Sequence, residues 1–371
     1  MRAVFFVVLL LPFMILGLVD YAFAVDTWTD ATTTPNLVNK NMMGVSMINA
    51  NNGVAVGNGG TIVYTSDGGD TWTAATTTNV GTTYMRDVSM VDASNGVAVG
   101  NSGQIVYTTN GGVDWTAATT TNVGTTHMRG VSMGDANNGV VVGGGQIVYT
   151  SDGGDTWTDA TTTGGLSHSF GVSMSDASNG VAVGQSGKIV YTTNGGDTWT
   201  DATTTNVGTT NMFGVSMVDA NNGVAVGSSG QIVYTSDGGD TWTAATTTNV
   251  GTTNMFDVSM SDASNGVAVG NGGTIVYTSD GGDTWTAATT NVGTNDMRDV
   301  SMVDASNGVA VGFAIDVYND GKIIFTDSSS SEDSTTSSSK SGACGFDRDC
   351  TAPRITKHGI SETPDGFSIN N

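Results

Sequence analysis

The chain has 371 residues, with 53 glycines, 4 prolines, only 12% charged residues and a net charge of −23. So acidic a surface repels phosphate backbones and anionic lipid, which sets aside nucleic-acid and peripheral membrane binding. An excess of Thr, Ser, Asn, Val and Gly describes many short strands joined by tight turns, with little material for helices.

The chain opens with Arg2, an apolar run over residues 3–19, and small residues at Ala22 and Ala24 around Phe23. That pattern reads as an export signal over residues 1–24, and the run is short of the about 20 residues a spanning helix needs. The expected location is secreted or in the cell envelope, with no integral membrane segment after cleavage.

Residues 44–76, GVSMINANNGVAVGNGGTIVYTSDGGDTWTAAT, then recur with small changes down most of the chain. Trp28, Trp72, Trp115, Trp157, Trp199, Trp242 and Trp285 mark the beat, at spacings of 44, 43, 42, 42, 43 and 43. Such a fixed period signals a repeat architecture. Each unit carries four β signals: strand a at 45–47, b at 53–57 (GVAVG), c at 61–65 (TIVYT) and d at 71–76 (TWTAAT). Asn-Gly and Asp-Gly pairs between them accept positive φ and suit antiparallel turns. Four such strands in a meander describe the blade of a β-propeller.

Strands a and b occur seven times, but strand d with its Trp follows only the first six. The missing piece, DTWTDATT, lies at 26–33, ahead of the first strand a. Ends permuted in this way leave an open solenoid with two unpaired edges, whereas in a ring the N-terminal strand completes the last blade. The expected fold is therefore all-β: a seven-bladed propeller over residues 25–327, monomeric, with each Trp packed between neighbouring blades. A Ser-rich linker at 328–341 cannot bury a core, and residues 342–371 form a short tail. Its Cys344 and Cys350 are expected to pair as a disulfide in an exported protein.

The c–d turn reads Thr65-Ser66-Asp67-Gly68-Gly69-Asp70-Thr71-Trp72, and its Asp recurs at Asp152, Asp237 and Asp280. It matches the Asp-box, or bacterial neuraminidase repeat. The expected role is structural: the Asp accepts from turn amides, the glycines take positive φ and the Trp staples the hairpin. One or two carboxylates per turn make a weak calcium site, and neither a metal nor a cofactor is expected.

The whole unit, NGVAVG followed by GTIVYTSDGGDTW, resembles the photosystem II assembly and stability factor propellers over residues 26–326. That resemblance implies a seven-bladed, non-catalytic exported scaffold that binds a membrane-protein precursor. Nothing in the residues indicates chlorophyll or a photosystem partner. Asp-boxes also occur in sialidases and other glycosidases, so the alternative is a carbohydrate-binding or glycosidase-like surface protein. The only glutamates, Glu332 and Glu362, lie in the tail, against a sialidase mechanism. Asp87, Asp257, Asp296 and Asp299 are the candidates for an inverting pair separated by about 6.5–9.5 Å. No catalysis is expected.

Where near-identical copies disagree, a site is easiest to see. Two residues before the Val of strand a stand, in blade order, Met43, Arg86, Arg129, Phe170, Phe213, Phe256 and Arg298. Closing the ring sets the three Arg and Met43 on one arc and the three Phe on the other. Two positions earlier stand Asn41, Tyr84, His127, His168, Asn211, Asn254 and Asp296. These positions fall in the d–a connection, on the rim away from the Asp-boxes. A rim cationic on one side and aromatic on the other suits a polypeptide with acidic and apolar features, or a surface glycan. The competing expectation packs the Phe under the loop and pairs the Arg with Asp87, Asp299 or nearby carboxylates. His127 and His168 lack the third ligand a metal needs.

Overall fold

A computed structural model describes residues 28–31, 40–77, 80–120, 122–162, 166–204, 207–247, 250–288, 293–313 and 321–326. The expected export signal, the Ser-rich linker and the tail with Cys344 and Cys350 lie outside the described residues. Among the described residues no helix is long and apolar enough to cross a membrane.

Seven antiparallel sheets form, one per repeat. Blade 1 consists of strands Met42–Met47, Gly53–Gly57, Ile62–Thr65 and Thr73–Ala74, paired in chain order. Strand b is buried at all five positions. Its side chains alternate between two cores, as a strand's period of two dictates. Val54 and Val56 pack with Trp115 of blade 2, while Ala55 packs with Trp72 and with Val309 and Val311 of blade 7. The small Ala leaves room for the blade's own indole. Each of the seven apolar clusters holds one Trp at the junction of two blades.

Blade 7 contains Asp296–Met302, Gly308–Phe313 and Gly321–Thr326, and its outer strand is Thr29–Asp30 from the start of the chain. Thr29 lies opposite Phe325, Asp30 opposite Ile324, and the Ala31 N–H donates to the Ile323 carbonyl at 3.0 Å. Lys322 and Asp30 form an ion pair across the same two strands. Trp28, only 4% exposed, fills the core between blades 6 and 7.

Two further sets of bonds join the blades. The innermost strands line a central channel, and there the Ser of each strand a accepts from the Met N–H of the next. Ser46 bonds Met90, Ser89 bonds Met133, and so on round to Ser301, which bonds Met47, at 2.8–3.0 Å in all seven cases. The last of these closes the circle. At the outer edge the chain after strand d pairs in parallel with the next blade's Asp-box, as in Thr76 with Asp114 and Thr161 with Thr198.

The Asp-box is built as its residues imply. Asp67 accepts from the Thr65 hydroxyl at 2.8 Å and from the Thr71 N–H at 2.9 Å. Asp152, Asp237 and Asp280 do the same in their blades. Burial pushes the Asp67 carboxyl up, but hydrogen bonds from Thr71 and Thr65 outweigh it and hold the group below its ordinary value. The indole N–H of Trp72, Trp115, Trp157, Trp199, Trp242 and Trp285 donates to the second box Gly carbonyl at 2.9–3.0 Å. Trp28 has no box before it, and its indole nitrogen has no partner among the described residues.

That second glycine also touches the preceding blade. Gly112 has φ +86, and a Cβ there would sit 2.5 Å from Cγ2 of Val54. Gly124 has φ +59 and nothing within 4 Å of its Cβ position. Both positions strain an L-residue, but only Gly112 adds a clash between blades. Gly112→Ala is expected to cost about 2–4 kcal/mol and Gly124→Ala about 1–2 kcal/mol, read as the difference between their denaturation midpoints.

Candidate functional site at one mouth of the channel

Strand a is longer than its sequence pattern suggests. It runs over Met42–Met47 and Met85–Met90, so it takes in the residues where the copies differ. Arg86 and its equivalents thus lie inside the innermost strand rather than in the d–a loop on the rim. The register against strand b slips between Met85 and Asp87, and at the same place in five other blades. Such a bulge sets two residues against one and re-aims a side chain. Here it lets Arg86 and Asp87, which would otherwise point to opposite faces, both line the channel.

The outer tier of the mouth is Met43, Arg86, Arg129, Phe170, Phe213, Phe256 and Arg298, one residue per blade, all half-buried around a space of about 230 Å³. Phe170 meets Phe213 edge to face with centroids 5.4 Å apart, and Phe213 meets Phe256 at 5.9 Å. Arg129 covers Phe170 at 5.3 Å and Arg298 covers Phe256 at 3.9 Å. Cation–π contact at each end thus joins the two arcs into one circuit. The three are the only arginines among the described residues.

The competing expectation is met at Arg298, which pairs with a nearby carboxylate, and not at the phenylalanines. The phenyl rings face the opening instead of packing under a loop. Arg86 Nε donates to Asn101 at 2.6 Å, and Arg298 pairs with Asp296 at 3.1 Å. No salt bridge to Asp87 or Asp299 forms among the described residues. Burial draws the Arg86 pKa down, and the neighbouring charge of Arg129 draws it further. Burial likewise lowers Arg298, against the pull of Asp296.

One residue further along each strand a the side chains are Gly44, Asp87, Gly130, Gly171, Gly214, Asp257 and Asp299. The blades meet so closely here that a Cβ on Gly44 would lie 2.8 Å from the Asp87 backbone. Three carboxylates fill the space that four glycines leave. Each bridges to the next blade: Asp87 accepts from the Val131 N–H at 2.8 Å, Asp257 from Val300 at 3.1 Å and Asp299 from Val45 at 2.6 Å. Protein surrounds all three except toward the channel. Burial pushes Asp87 up to about 7, with a smaller push from Asp257. Burial also raises Asp257, and raises Asp299 well above the usual range with help from Asp257 and Asp87. Asp257 and Asp299 interact, which adds to the rise at Asp299 and works against it at Asp257.

The second sequence-singled position divides by blade. His127 Nδ1 accepts from Ser102 N–H at 3.0 Å, and Asn211, Asn254 and Asp296 do the same for Ser186, Ser229 and Gly272. Those donors hold the left-handed turn between strands b and c of the preceding blade. His127 is therefore a turn latch. His168 follows a blade whose b–c turn is shorter by one residue, and it is exposed, as is Tyr84 at 49%. No group of three metal-ligating side chains occurs among the described residues. A larger cavity of about 500 Å³ opens on the Asp-box rim at Asp67, Asp70 and Phe325, where blade 7 has no box. Its wall ends at Thr326, the last described residue.

No curated protein matches the chain. Among solved structures, one titled "YCF48 bound to D1 peptide" is 17% identical with a TM-score of 0.63, covering 81% of this chain and 94% of that one. YCF48 from Cyanidioschyzon merolae is 18% identical with a TM-score of 0.62, covering 81% and 98%. A catalytically inactive virginiamycin B lyase from Staphylococcus aureus with quinupristin is 12% identical with a TM-score of 0.66, covering 81% and 99%. At these identities the likeness is one of fold, shared by binding proteins and enzymes alike. The sequence profile is more specific: that of the photosynthesis system II assembly factor YCF48 matches residues 22–123, 76–208 and 118–255. The chain belongs to the YCF48 photosystem II assembly factor family.

Proposed function

We propose that the chain is an exported, non-catalytic scaffold that holds a polypeptide at the arginine–phenylalanine mouth of its channel. The observation that carries this is convergence: all three arginines among the described residues meet three phenylalanines at one opening of an acidic protein. A space of about 230 Å³ takes one or two side chains of an extended segment rather than a folded domain. A family relative bound to a D1 peptide supports a polypeptide as the partner class. The apolar run at 3–19 with Ala22 and Ala24 supports export. A glycan is the second class. Sugars stack on open aromatic faces, whereas here Arg129 and Arg298 cover the faces of Phe170 and Phe256.

Crosslinking and recovery from the native host compares the wild type with Arg86→Ala/Arg129→Ala/Arg298→Ala. Loss of charge-assisted contacts is expected to weaken partner capture by about a hundredfold, with the melting temperature nearly unchanged. Undiminished capture, or binding to a glycan array that depends on Phe170 and Phe213, would overturn the reading.

A further inference from the structure

We propose that the mouth is a proton-linked anion site: Arg86 and Arg129 take an acidic side chain of the partner segment, and the three carboxylates beneath set how tightly. This rests on the polypeptide-binding reading and adds to it the partner's chemistry and its control.

Arg86 and Arg129 stand on adjacent blades, half-buried and mutually repelling, and neither forms an ion pair among the described residues. Arg298 differs, since Asp296 already neutralises it. Two guanidinium groups held side by side are relieved by one carboxylate, which their fork geometry suits. The phenylalanine arc alongside offers apolar contact to the next side chain of the same segment.

The tier below supplies the control. Six titratable groups line the funnel: the three arginines, and Asp87, Asp257 and Asp299. Blades 4 and 5 contribute only Phe, Gly and Val to it, and blade 1 only Met43. Outside it, Tyr84 acts on Arg86, Asp296 holds Arg298, and His127 is committed to Ser102. With Arg298 neutralised by Asp296, Arg86 and Arg129 make the funnel cationic while the carboxyls are protonated, and ionising all three turns it net negative. Burial places Asp87 near 7, so its step falls around neutral pH, and raises the other two as well. An incoming carboxylate favours the protonated tier, and binding takes up protons.

Fluorescence anisotropy on the full chain tests this with a short labelled peptide of alternating Asp and Leu, and an Asn–Leu counterpart. Coulomb interaction across a few ångströms of partly hydrated protein predicts affinity about tenfold weaker at about pH 9 than at about pH 5 for the acidic peptide. Asp87→Asn/Asp257→Asn/Asp299→Asn should bind equally at both pH values, as tightly as the wild type in acid. A pH dependence retained in that variant, or shared by the Asn–Leu peptide, overturns the linkage alone. Full binding by Arg86→Ala/Arg129→Ala overturns the location, and with it the function proposed above. Should the triple variant not fold, Asp87→Asn alone must reduce the pH dependence; an unchanged profile overturns the proposal.

Discussion

Removing residues 26–33 is expected to lower the melting temperature by on the order of 10 °C or more and to increase association between copies of the ring. The deletion takes away Trp28, which fills the core between blades 6 and 7, and the outer strand paired with Gly321–Thr326. Truncating a buried Trp costs about 3–5 kcal/mol, and a domain of this size loses about 2–4 °C per kcal/mol. The strand adds the Ala31 N–H bond, the Lys322–Asp30 ion pair and coverage of an edge. An uncovered edge strand is a template for another chain. Trp28→Ala alone separates the two effects: it should reproduce most of the melting loss without the association. Trp72→Ala should cost more than Trp28→Ala, because Trp72, unlike Trp28, is both fully buried and hydrogen-bonded through its indole. Thermal denaturation with size-exclusion chromatography checks all three variants. An unchanged melting temperature in the deletion would mean that the ring closes through the channel serines alone.

The blade count, the ring and its closure by Trp28 were legible because each depends on repetition, and repetition survives in a bare string of letters. The Asp-box was legible for a similar reason, since its bonds run between residues two to four apart. The mouth was half legible. Its membership followed from disagreement among copies, and the order of Arg and Phe arcs from blade order. Its position did not, because a one-residue bulge at Met85–Asp87 decides it and no residue type there announces a bulge. Without that slip, Arg86 and Asp87 alternate, and an Arg–Asp pair on the rim is a reasonable expectation. The serine circle left a trace that periodicity alone does not interpret: Ser46, Ser89, Ser132, Ser173, Ser216, Ser259 and Ser301 never vary between copies. A polar side chain between two apolar residues in every unit signals a bond that every unit makes. His127 has a contact that the sequence does not announce. Its Nδ1 accepts from the left-handed turn in the blade before it.

The channel carboxylates should make the fold less stable at about pH 8 than at about pH 5, and Asp87→Asn should remove much of that difference. Asp87 has a pKa of about 7 in the folded chain against 3.8 for an ordinary Asp. Between those values the folded state binds more protons than the unfolded one, so stability falls as pH rises and the loss is complete above about 7. The contribution is fully present only below the unfolded value. A shift of this size corresponds to a few kcal/mol at most, at about 1.4 kcal/mol per unit. Asp257 and Asp299 act in the same direction. The Asp-box and a–b turn carboxylates act in the other: hydrogen bonds hold Asp67, Asp92, Asp152 and Asp219 below their ordinary values despite burial. Their stabilisation is present above about 4 and disappears as pH falls further. The two sets together place maximal stability near pH 4–5, below the usual range of about 5–8. Self-repulsion at a net charge of −23 also grows with pH, so the wild-type profile alone does not isolate the channel. Asp197→Asn, an exposed change of equal charge, supplies the comparison. Asparagine at 87 keeps an oxygen for the Val131 N–H and carries no proton to lose. Asp87→Asn should therefore gain stability over Asp197→Asn at about pH 8 and not at about pH 4. Parallel melting curves for the two variants would show instead that the three aspartates are ordinary solvated carboxylates, and would remove the physical basis for a proton-linked mouth.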